Sequence, residues 1–86
     1  MAKYALQIKQ SAQRELDALD DALFGRIDRK ILALADTPRP VGCKKLKGHR
    51  DQWRVRIGDW RVVYIIDDLD QVVNVTRIAH RREVYE

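Results

Sequence analysis

Apolar and polar residues alternate most clearly over residues 53–64, Trp-Arg-Val-Arg-Ile-Gly-Asp-Trp-Arg-Val-Val-Tyr. Alternation with a period of two predicts half-buried strands, and Gly58-Asp59 between them predicts a two-residue hairpin loop. That loop sets the register: Ile57 opposite Trp60, Arg56 opposite Arg61, Val55 opposite Val62 and Arg54 opposite Val63. Trp53, Val55, Ile57, Trp60, Val62 and Tyr64 then share one face, and Arg54, Arg56 and Arg61 the other. Upstream, Tyr4, Leu6 and Ile8 alternate with Lys3, Gln7 and Lys9, which predicts a first strand. Ser11 is the expected N-cap of a helix over 12–19, with Ala12, Leu16 and Leu19 on its apolar side. Asp20 or Asp21 caps a second helix, whose stripe of Leu23 or Phe24, Ile27, Ile31 and Leu34 has helical spacing. Arg26, Asp28, Arg29 and Lys30 fall mostly outward.

Asp36-Thr37-Pro38-Arg39-Pro40 ends the second helix, because residues before proline are pushed out of helical geometry. Lys44-Lys45-Leu46-Lys47 fits a brief strand or an extended arm. Residues 62–66 are apolar on both faces, as a central strand requires, and residues 71–79 form another strand. The tail, residues 80–86, is too short for a stable isolated helix. The order β-α-α-β-β-β predicts one small α+β domain spanning residues 1–86. In it an antiparallel sheet, with a C-terminal three-stranded meander, is covered on one face by an N-terminal helical hairpin.

Composition narrows the function. The chain has 86 residues, 45% of them hydrophobic, and one cysteine, Cys43. An internal disulfide is impossible, a structural zinc site is not expected from one Cys and two His, and no apolar run reaches membrane-spanning length. A cytoplasmic protein without a cofactor is the simplest expectation. Net charge is +4 overall, but residues 43–61 hold seven Lys/Arg against two Asp/Glu. The excess is therefore a local patch around the hairpin, the footprint of a polyanion partner.

Two arginines directly opposite each other cost stability, whereas guanidiniums on a rigid face bind phosphate oxygens in a fork. Arg54, Arg56 and Arg61 are the candidate catalytic set, joined by the tail residues His80, Arg81 and Tyr85 if the last strand brings them to the arginine face. Lys44, Lys45, Lys47 and Arg50 are candidate contacts to backbone phosphates. Trp53, Trp60 and Tyr64 belong to the core. RNA suits such a set, because its 2′-hydroxyl can attack the adjacent phosphate when a base, cations and an acid are placed around it.

Three stretches, 45–48 (Lys-Leu-Lys-Gly), the hairpin 53–64 and the ending His80-Arg81-Arg82-Glu83-Val84-Tyr85, resemble the RelE group of the RelE/ParE toxin superfamily. The resemblance covers the whole chain, and the ending favours RelE over ParE. It implies a toxin of a type II toxin–antitoxin pair, partnered by an antitoxin, that cuts mRNA in the ribosomal A site by 2′-hydroxyl attack without metal. The alternative it implies is a ParE-type inhibitor that binds DNA gyrase. By resemblance, Arg61 contacts the scissile phosphate, Arg81 stabilises charge or protonates the leaving group, and Tyr85 lies near the attacked site. Arg54 and Arg56 stand where the family often has lysines, and His80 where it varies. Arginine keeps its proton, so Tyr85 or His80 is the expected base.

Overall fold

The computed structural model describes residues 3–46 and 51–81. Its elements are β1 (Ala5–Ile8), α1 (Gln10–Asp17), α2 (Asp21–Ala33), β2 (Lys44–Lys45), β3 (Gln52–Ile57), β4 (Trp60–Asp67) and β5 (Val72–His80). They build a five-stranded sheet in the order β1-β5-β4-β3-β2. The strands β3, β4 and β5 form the expected antiparallel meander, and β1 joins the edge of β5 in parallel. A parallel neighbour needs a long crossover, and here the two helices and the β2–β4 segment supply it. Lys44 and Lys45 pair with Arg54 and Trp53, so the basic stretch is a brief edge strand.

The helices pack on the face that alternation assigned to the core. Ala12, Leu16, Ile27, Ile31 and Leu34 meet Val55, Val62, Tyr64, Ile66, Val73, Val75 and Ile78, all buried. Asp20 caps α2, its carboxylate accepting from the Leu23 N–H at 2.9 Å. Helix α1 begins earlier than Ser11 indicates. Its cap is Lys9, which makes no side-chain capping bond. The Lys9 N–H donates to Val75 O at 2.8 Å, so β1 is held to the sheet up to the residue where the helix starts. Tertiary pairing thus overrides the local signal of Ser11, which lies inside the first turn.

A single extra residue in β5 decides which side chains face which way. Tyr64 pairs with Val75, but Val63 pairs with Arg77, leaving Thr76 as a β-bulge. Thr76 Oγ1 donates to Val63 O at 3.3 Å. Beyond the bulge, the Ile78 N–H donates to Glu15 Oε1 at 2.9 Å. A bulge inverts the face of every later residue relative to unbroken alternation. Ile78 and His80 therefore lie on the helix side, and Arg77 and Ala79 on the opposite face. Among the described residues, no helix is long and apolar enough to cross a membrane.

Candidate functional site

The hairpin forms in the register set by its alternation, with Arg56 opposite Arg61 and Arg54 opposite Val63. Gly58 adopts φ +61° while Asp59 stays at negative φ, the pattern of a type II′ turn with glycine in the first central position. A side chain at Gly58 would be strained there. The tight turn keeps β3 and β4 in line to their ends, so the arginines stand on a stiff support.

The arginine face is less open than a purely solvated sheet face. Arg54 is 3% exposed, the one buried charged residue among those described, and its neighbours Val63 and Ala79 are buried too. Burying a guanidinium is expensive, and it fixes the group's position. Arg56 stays exposed and Arg61 is half-buried. Among the described residues, Arg56 makes no ion pair or hydrogen bond.

The tail divides at the end of β5. The Arg81 N–H donates to Asp59 O at 2.7 Å, continuing the ladder to the tip of the hairpin. Arg81 Nη1 lies 3.7 Å from Asp59 Oδ1. Arg61 pairs with Ala79, two residues before Arg81, so Arg81 stands just past the end of β5 beside the hairpin turn. His80 goes elsewhere. It pairs with Trp60 on the helix side and meets that indole edge-on, with ring centroids 5.7 Å apart at 84°. The expectation that His80 joins the arginine face is therefore corrected. The cause is the Thr76 bulge, whose trace in the sequence is the apolar spacing that changes from two (Val73, Val75) to three (Val75, Ile78).

Register also separates the lysines: Lys44 shares the face of Arg54, and Lys45 that of Trp53. Tyr85, Lys47 and Arg50 lie outside the described residues. Two cations that the periodicity turned outward come to the site from α2. Lys30 lines a pocket with Lys44, Arg54 and Arg56, and Arg26 Nη2 lies 3.6 Å from where a Cβ on Gly58 would stand. No local pattern reveals them, because the angle at which α2 crosses β3 is tertiary.

A second arginine centre lies by the β4–β5 turn. Arg39 donates to both carboxylate oxygens of Asp68, at 3.2 and 2.8 Å, and the Tyr4 hydroxyl donates to the same carboxylate at 2.7 Å. The Arg39 guanidinium also lies 5.0 Å from the Trp53 ring centroid. The hydrogen bonds from Arg39, then from Tyr4, hold the Asp68 carboxyl below its ordinary range. Tyr64, buried beneath the loop, donates to Pro38 O at 2.7 Å, and burial pushes its phenol well above the usual value.

Residues 6–85 match the family of ParE toxins of type II toxin–antitoxin systems, parDE. A RelE1 toxin of Methanocaldococcus jannaschii, so named provisionally, is 28% identical over 87 residues, covering 98% of this chain and 97% of its own. The fold is similar to the archaeal RelE–RelB complex of Pyrococcus horikoshii OT3, with TM-score 0.83 and 26% identity over 95% of this chain and 99% of that one. It is also similar to the RelBE2 toxin–antitoxin complex of Mycobacterium tuberculosis, with TM-score 0.81 and 25% identity over 92% and 99%.

Proposed function

Since the chain belongs to the ParE toxin family of type II toxin–antitoxin systems, within the RelE/ParE superfamily, we propose that it is a metal-independent endoribonuclease that cleaves mRNA on the ribosome. One observation carries the reading: Arg56 and Arg61 are held directly opposite each other by the hairpin register. Like charges across a strand pair destabilise a sheet, and a bound phosphodiester converts that cost into affinity.

In the proposed reaction the RNA 2′-oxygen loses its proton to a base and attacks the adjacent phosphorus. The P–O5′ bond breaks, the 5′-oxygen takes a proton, and the products carry a 2′,3′-cyclic phosphate and a 5′-hydroxyl. Arg56 and Arg61 stabilise the charge that accumulates on the non-bridging oxygens. Arg54 fixes the strand from its buried position, and Arg81 serves the leaving oxygen from the hairpin tip. None of these arginines is a base at neutral pH. With His80 on the helix side, that role passes to Tyr85, which the family resemblance puts near the attacked site. Relatives have been solved with their antitoxins. A cognate antitoxin here would cover the cationic face with an acidic or amphipathic segment.

The match to the ParE toxin family favours a second reading, the ParE-type one that the resemblance implies: binding of DNA gyrase without chemistry. Two assays on the purified chain separate them. Ribosomes programmed with mRNA should yield cleaved message with cyclic-phosphate ends, in EDTA as in its absence, while gyrase supercoils normally. Blocked supercoiling with intact message would overturn the ribonuclease reading.

A further inference from the structure

We propose that the pocket between α2 and the outer edge of β3 is a second phosphate subsite, which holds the RNA strand beside the scissile position. The inference rests on the RNA-cleavage reading above and shares Arg54 and Arg56 with it, but adds Lys30 and Lys44. The pocket has a volume of about 310 Å³ and is lined by Lys30, Val41, Gly42, Lys44, Arg54, Val55 and Arg56. Four of these seven are cations and none is an acid. Among the described residues, Lys30, Lys44 and Arg56 make no ion pair. Such a pocket concentrates positive potential beside low-dielectric walls, which attracts a polyanion.

Two features favour a nucleic-acid backbone over an acidic peptide. Arg54 and Arg56 belong both to the pocket and to the arginine face, so one strand can run from one to the other. Val41, fully exposed at the rim, gives an apolar surface to a sugar or base. The edge is also accessible: β2 pairs only with Trp53 and Arg54, leaving Val55–Ile57 uncovered on that side among the described residues. Arg26, one helical turn before Lys30 and close to Gly58, extends the cationic track towards the hairpin tip. Like charges four apart on a helix are unfavourable, as expected where both serve a ligand.

The test uses a 2′-O-methyl oligoribonucleotide, which cannot be cleaved, titrated by fluorescence anisotropy over a range of salt. Lys30→Ala should weaken binding and reduce the slope of log K against log salt by about 0.7, the loss of one phosphate contact to a single strand. Arg29→Ala, one residue away and outside the pocket, removes the same charge and should leave the slope near wild type. An unchanged slope in Lys30→Ala, or equal changes in both variants, overturns the subsite. So does a Lys30→Ala effect on a polyglutamate peptide but not on RNA, which would mark a protein-docking site. If Lys30-dependent RNA binding persists in a chain that never cuts mRNA, the subsite stands and the ribonuclease reading falls.

Discussion

Arginine does two different jobs at the two ends of this sheet. At the β4–β5 turn, Arg39 is matched: Asp68 takes two of its hydrogen bonds, Tyr4 completes that carboxylate, and Trp53 lies beside the guanidinium. The cluster ties the loop after α2 to the β4–β5 turn and to the segment that enters β1. At the hairpin, Arg56 faces Arg61, and the adjoining pocket has four cations and no acid among its lining residues. A charge that serves architecture is neutralised within the chain. Arg56, exposed and without an ion pair among the described residues, faces its like and is set for a partner that brings the opposite sign.

The largest expected effect breaks the second half of this contrast. Arg61→Ala should lower single-turnover mRNA cleavage on the ribosome about 10²–10³-fold, or about 2.7–4 kcal/mol, by analogy with loss of one donor to a developing oxyanion. Substrate binding should fall much less, because other cations still hold the strand. A variant that cleaves at the wild-type rate would remove Arg61 from the reaction.

Arg56→Thr separates stability from function. Thr suits a strand, and the substitution relieves a like-charge cross-strand pair, so the protein should gain about 0.2–1 kcal/mol in urea melts while losing cleavage. A chain that is destabilised and still active would show that the pair serves folding. The opposite signs make this sharper than either measurement alone.

The hairpin was legible because alternation and Gly58-Asp59 act locally and agree. The same locality explains the apolar stripe of α2 and the order of the elements. What sequence could not give arises where distant segments meet. Ser11 has the chemistry of a cap, but β1 holds Lys9 on β5 and starts the helix there. The burial of Arg54 depends on the whole sheet around it, and Lys30 comes to the site only through the packing of α2 beside β3. His80 lies between these cases. Its face is set by one bulged residue, and the altered spacing before Ile78 was a readable sign of it.

The smallest expected effect tests the first half of the contrast. The Asp68 carboxyl is held below its ordinary value chiefly by the Arg39 hydrogen bonds. Its folded pKa is thus lower than its unfolded one, so it contributes stability above the ordinary aspartate value of about 3.9. That contribution disappears as pH falls through the lower folded value. Asp68→Asn should therefore melt slightly below wild type at neutral pH, and the two curves should converge in the acid window beneath about pH 4. The gap is small because the pair is exposed and screened by solvent. Ribosome-dependent cleavage should stay at the wild-type rate, since this cluster is at the far end of the sheet from the hairpin turn. A melting gap that does not change with pH would deny Asp68 its ionic role, and lost cleavage would join the two arginine centres into one site.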